Sequence, residues 1–133
     1  MKFSTKKKPI TISVGKEGAF MYERSIDAYV SKNGIWAIHR SVSSLKEGFC
    51  VTHIPSGYNI NRRGQFKTIK AAKRAARVLN PIAKWKKCVQ RDAKGFVHLP
   101  ESIARKARKA LDLAFKKSNQ IIPSRESDNK ESI

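Results

Sequence analysis

An alanine-rich stretch with helical periodicity, residues 68–80, constrains the fold of this chain more than any other feature. Thr68 is a predicted N-cap, because its hydroxyl can accept a hydrogen bond from a free backbone N–H of the first turn. The stretch ends at Asn80, since a residue that precedes a proline disfavours helical dihedral angles. The pattern predicts a slender amphipathic helix that packs through its small side chains. Its apolar face is formed by Ile69, Ala72, Ala76 and Leu79, which recur at helical spacing.

The opposite face of this predicted helix is basic. A basic face alone is typical of any solvated surface helix, but the composition of the chain gives it more weight. The chain holds 29 Lys and Arg against 10 Asp and Glu, a formal net charge of +19. Such a charge repels itself unless a polyanion or a screening solvent is near, so nucleic acid is the predicted partner class. The cations of this face are Lys70, Lys73, Arg74 and Arg77.

The residues before this helix carry the alternation of β-strands. Apolar and polar residues alternate from Ile10 to Val14, and Asn33-Gly34 is typical of a tight hairpin turn. We therefore predict an antiparallel sheet over about residues 10–60. If the strands at Trp36 and Phe49 pair, one face of the sheet is apolar and is the predicted core face. The other face is small and polar, includes His39 and Thr52, and could lie against a groove.

The pattern of helical spacing resumes after Asn80. It predicts a short second helix from Pro81 to near Gly95, with Lys86 and Lys87 on its surface, and a third helix that begins at Pro100 and carries Arg105 and Lys109. The predicted fold class is α+β, an antiparallel sheet followed by two or three helices. The predicted organisation is a flexible basic arm over 1–9, one domain over 10–117 and a disordered tail over 118–133.

Catalytic and metal-binding patterns are weak in this sequence. The histidines are far apart, Cys50 and Cys88 are not paired at short spacing, and no glycine-rich phosphate-binding motif is present. We expect no metal and no cofactor. A metal-independent ribonuclease with His39 or His53 as its base stays open as an alternative, so enzyme activity is undecided at this stage.

The distribution of apolar residues also bears on the cellular compartment and on membrane contact. No stretch approaches the roughly 18 apolar residues of a membrane span, and the N-terminal residues lack the apolar run of a secretory signal. We therefore expect a cytoplasmic protein with reduced thiols and no membrane partner. If it binds DNA, it would be associated with the nucleoid.

A hairpin strand followed by a capped, alanine-rich helix carries a family resemblance. The segment Gly34–Arg40, GIWAIHR, is followed after one more strand by the G-x-F-x-T pattern of residues 64–68 and then by the helix. In this order, residues 26–79 resemble the AP2-type and integrase arm-type DNA-binding domains. The resemblance implies a three-stranded antiparallel sheet that packs on one helix and lies in the major groove. It also associates the chain loosely with phages and mobile elements.

These observations together predict a nucleic-acid-binding protein, with double-stranded DNA ahead of RNA. Phosphate contacts from the helices would set the affinity, and the sheet would carry any sequence reading. The other alternative is a basic interaction factor that docks on an acidic host protein. The predicted phosphate contacts are Arg62, Arg63, Lys70, Lys73, Arg74, Arg77, Lys86, Lys87, Arg105 and Lys109. The predicted contacts from the sheet are His39 and Thr52.

Overall fold

The computed structural model describes residues 1–15, 21–40, 48–60, 64–91, 93, 97–115 and 121–123. Within these residues the chain forms nine strands and two α-helices. The strands are β1 (Lys8–Gly15), β2 (Met21–Val30), β3 (Trp36–Arg40), β4 (Phe49–His53), β5 (Tyr58–Asn59), β6 (Gly64–Phe66), β7 (Gln90–Arg91), β8 (Val97–His98) and β9 (Ile121–Pro123). The helices are α1 (Ile69–Leu79) and α2 (Glu101–Ala114).

One antiparallel sheet organises the molecule. Its strands follow the order β1-β2-β3-β4-β6-β9, and β5 pairs with β4 beside β6. The sheet curls, so that β1 also contacts β5, while β7 and β8 form a separate two-stranded ribbon. The predicted α+β class, with its sheet before its helices, is confirmed.

The pairing of β3 with β4 confirms the predicted core face. Trp36 lies opposite His53 and Ile38 lies opposite Val51, and all four side chains are fully buried. The hairpin turn that precedes β3 ends at Gly34, whose φ of 75° favours glycine. The alternation of the sequence therefore assigned these side chains to the correct face.

The other face of β3 and β4 is not open to a groove. Cys50, His39 and Thr52 are buried there at 2%, 5% and 1% exposure. A second apolar cluster of Ile10, Ile12, Ala28 and Ala37 forms on the inner side of the sheet. The curl covers this face, and alternation within single strands does not reveal a curl.

Helix α1 begins as predicted. The Thr68 hydroxyl accepts a hydrogen bond from the backbone N–H of Ala71 at 3.0 Å. The helix packs on β3, β4, β6 and α2, and its small side chains allow close approach on both sides. Its buried residues are Ala71, Ala72, Ala75, Ala76 and Leu79. Ile69, which the pattern assigned to this stripe, is only half-buried.

The predicted second helix is wrong. Residues 80–87 form two 3₁₀ turns, Asn80–Ile82 and Trp85–Lys87, and Ala83 between them is extended, with φ −152° and ψ 169°. Tertiary hydrogen bonds of Trp85 replace the helical ones. Its indole Nε1 donates to the Leu79 carbonyl at 2.8 Å, and its own carbonyl accepts from His53 Nε2 at 2.7 Å.

Two short segments near the chain ends contact the domain where they are described. The Ser4 backbone N–H donates to the Val30 carbonyl at 2.8 Å, and Phe3 packs against the core, so the start of the predicted arm is bound to the domain. At the other end, β9 pairs with β6 and extends the sheet. The rest of the predicted 118–133 tail lies outside the described residues.

Candidate nucleic-acid interface

The basic face of α1, formed by Lys70, Lys73, Arg74 and Arg77, points away from the buried alanine face. Lys70, Arg74 and Arg77 are exposed and Lys73 is half-buried. The helix contains no acidic residue, so none of these cations has a compensating charge three or four residues away within it. The face therefore presents its charge outward.

Two cations of this face also hold the fold together. The Arg74 guanidinium lies 4.8 Å from the centre of the Phe115 ring and donates to the Ala114 carbonyl at 3.3 Å. Lys73 Nζ lies 5.6 Å from the centre of the Phe3 ring. These cation–π contacts join α2 and the N-terminal segment to α1.

The other two cations of the face are free for an external partner. Lys70 and Arg77 are exposed, and neither makes a hydrogen bond or an ion pair with the residues that the structure describes. An incoming phosphate would therefore displace no hydrogen bond or ion pair that the described residues make with these two cations. They are therefore the cleanest positions at which to test the face.

The remaining predicted phosphate contacts are divided between three segments. Arg105 and Lys109 are exposed on α2, although Arg105 shares the Glu101 carboxylate with Arg108, at 3.6 and 3.0 Å respectively. Lys86 and Lys87 are exposed on the second 3₁₀ turn. Arg62 and Arg63 lie outside the described residues.

His39 and Thr52 lie in the interior and bind each other. Thr52 Oγ1 lies 2.7 Å from His39 Nε2, and His39 Nδ1 lies 2.7 Å from the Arg40 carbonyl. Because a carbonyl only accepts, Nδ1 carries the proton, and the threonine hydroxyl donates to Nε2. Burial lowers the pKa of His39. Neither side chain is exposed to a nucleic acid, so we leave both out of the interface.

Both ring nitrogens of His53 also have hydrogen-bond partners inside the protein. It is fully buried, its Nε2 donates to the Trp85 carbonyl, and its Nδ1 lies 2.7 Å from Ser56 Oγ. Burial lowers the pKa of this ring as well. Neither His53 nor His39 reaches solvent in a position to exchange a proton with a bound phosphodiester, so the structure offers no support for the ribonuclease alternative at these residues.

A pocket of about 270 Å³ opens where the predicted second helix is broken. The sequence prediction counted Lys86 and Lys87, but not Lys84, among the phosphate contacts, and it did not predict the pocket. The pocket depends on the extended backbone at Ala83, which no local pattern predicts. The residues that line this lysine pocket are Ile35, Asn80, Ala83, Lys84, Trp85, Lys86 and Lys87.

Comparisons with known proteins found no match for this chain. No protein-family model, curated protein or solved structure matches this chain. Among the described residues, no helix is long and apolar enough to cross a membrane, and no cluster of three or more histidine, cysteine or acidic side chains could hold a metal ion. Neither Cys50 nor Cys88 is in a disulfide. The basic residues are therefore the feature of this chain that indicates a partner.

Proposed function

We propose that this protein binds nucleic acid, with double-stranded DNA favoured, by neutralising phosphates with the basic face of α1. The observation that carries the proposal is that face: four cations on one side of a helix that holds no acid. From Lys70 to Arg77 the helix rises roughly 10 Å. Over that length a DNA duplex carries about six phosphate charges on its two strands together, so the four cations of the face meet a similar linear density of negative charge.

The rest of the chain supports this proposal through its charge. The excess of 19 positive charges attracts any polyanion over a long range. Lys86, Lys87, Arg105 and Lys109 add exposed cations beyond α1. Such a protein would act in the cytoplasm, at the nucleoid if DNA is its ligand.

The proposal differs from the family resemblance in the surface that meets the ligand. In the AP2-type and integrase arm-type domains the sheet lies in the groove. Here the corresponding small and polar face of β3 and β4 is buried inside the curled sheet. We therefore assign the contact to the helix, and we propose binding that is governed by phosphates rather than by base sequence.

Fluorescence anisotropy tests the proposal by measuring the affinity for labelled nucleic acids at several salt concentrations. The ligands to compare are duplex DNA, duplex RNA and single-stranded DNA. About six phosphate contacts predict a slope of roughly −5 for the logarithm of the association constant against the logarithm of salt concentration on duplex DNA. Tighter binding to duplex DNA than to the RNA duplex is expected. Absence of binding at low salt, or a slope near zero, would contradict the proposal.

A further inference from the structure

The lysine pocket has a rigid inner wall. Ile35 and Trp85 are buried at 6% and 2% exposure, and the Trp85 ring makes an edge contact with Trp36 at a centroid distance of 4.7 Å. The hydrogen bond from the Trp85 indole to the Leu79 carbonyl fixes the ring, and the one from His53 to the Trp85 carbonyl fixes the backbone. Because these contacts are internal, the wall is formed before any ligand binds.

Asn80 holds the side of the pocket next to α1. Its side-chain oxygen accepts a hydrogen bond from Trp36 Nε1 at 3.1 Å, and it lies 3.4 Å from the Asn33 amide nitrogen. The side chain therefore connects the end of α1 to the hairpin turn before β3. Three separate segments of the chain thus meet at the pocket in a defined arrangement.

The rim of the pocket is cationic. Lys84, Lys86 and Lys87 all line it and are all exposed. The segment from Asn80 to Arg91 contains no acidic residue. An occupant that fits this lining combines a small apolar part with negative charge for the rim.

We propose that the lysine pocket binds an unpaired nucleotide of a nucleic acid, with its base over Ala83 and the small exposed edges of Ile35 and Trp85, and with its phosphates at the lysines. This inference rests on the proposed function and specifies which form of nucleic acid the protein prefers. A volume of about 270 Å³ lies just below the usual range of roughly 300–1,000 Å³ for small-molecule sites, so the pocket can take up part of one nucleotide and no larger group. An unpaired base can turn its face toward the pocket, whereas a base within a duplex is stacked between its neighbours, so the preferred ligand would carry a single-stranded end or gap.

The test compares a blunt DNA duplex with the same duplex extended by a short single-stranded tail. Wild-type protein should bind the tailed duplex roughly five- to tenfold more tightly, as expected for burial of part of one base. Ala83 is half-buried and lines the pocket, so the larger side chain of Ala83→Leu should fill the pocket. The substitution removes no hydrogen bond among the described residues. The variant should lose the preference for the tail and keep its affinity for the blunt duplex.

Ala110→Leu is the matched control, because Ala110 is also half-buried but lies on α2, outside the pocket lining. It should keep the preference for the tail. As a measurement on the unaltered protein, a short single-stranded oligonucleotide should shift the NMR signals of the Ala83 methyl group and the Trp85 indole N–H.

The outcomes separate the two proposals. Equal affinity of the wild type for both duplexes, a preference that survives Ala83→Leu, or unshifted Ala83 and Trp85 signals would overturn the pocket proposal while leaving phosphate binding by α1 intact. Absence of binding to either duplex at low salt would overturn the proposed function, and the pocket proposal with it.

Discussion

At the scale of single residues, both ring nitrogens of the two buried histidines have hydrogen-bond partners. His39 and His53 lie on adjacent strands and face opposite sides of the sheet. In each ring one nitrogen donates to a carbonyl and the other lies against a hydroxyl. Each ring is thereby neutral and fixed in one tautomer, His39 with its proton on Nδ1 and His53 with its proton on Nε2.

This arrangement predicts loss of stability in mild acid. Burial lowers the pKa of both rings in the folded protein, whereas the unfolded chain takes up protons as the pH falls through about 6.5. The unfolded state then binds more protons, so the free energy of unfolding should fall from pH 7 to pH 5.5, by at most about 1.4 kcal/mol per pH unit for each histidine. Above pH 7 these rings should contribute no slope.

Urea unfolding at a series of pH values measures this dependence. His39→Gln should lower the slope between pH 7 and 5.5, because one of the two titrating rings is gone. A wild-type free energy of unfolding that stays level, or rises, as the pH falls over this range would show that the rings are not held neutral.

At the scale of elements, local signals determined which segments were predicted correctly. Helix α1 was predicted because its cap, its alanine face and its end at Asn80 all lie within thirteen residues of sequence. Residues 80–87 carry a similar helical spacing, yet the burial of Trp85 and its bonds to Leu79 and His53 disrupt the helix there. That outcome depends on a strand more than thirty residues away, which local periodicity cannot show.

The cap of α1 gives a prediction at this scale. Thr68→Ala removes the hydroxyl that accepts from the Ala71 N–H and should lower the free energy of unfolding by about 1 kcal/mol. Thr68→Ser, which keeps a hydroxyl in the same place, should cost much less. Urea denaturation of both variants measures the difference, and equal losses would show that the cap does not stabilise the helix.

At the scale of the whole molecule, the curl of the sheet decides which surface is available. Alternation in the strands assigned Trp36, Ile38 and Val51 to the core, since that is a property of each strand alone. The burial of His39 and Thr52 depends instead on the curl of the sheet, which brings β1 into contact with β5 and is a non-local effect. The cations of α1 were predicted correctly as an outward face, because helical spacing alone separates them from the alanines.

The basic face can be tested without disturbing the fold through Lys70 and Arg77. Arg74 and Lys73 are unsuitable because they contact Phe115 and Phe3. Lys70→Gln combined with Arg77→Gln removes two exposed charges with little change in helix propensity. Lys8→Gln combined with Arg24→Gln also removes one lysine and one arginine, from exposed positions of β1 and β2. This second double variant therefore controls for the loss of two positive charges.

The most direct measurement is the salt dependence of duplex DNA binding for these two double variants and the wild type. Removal of Lys70 and Arg77 should weaken binding to every sequence alike and reduce the magnitude of the salt slope by roughly two units. Removal of Lys8 and Arg24 should leave the slope close to that of the wild type. An unchanged affinity and slope in the Lys70/Arg77 variant, or equal losses in both variants, would contradict the assignment of the contact to α1.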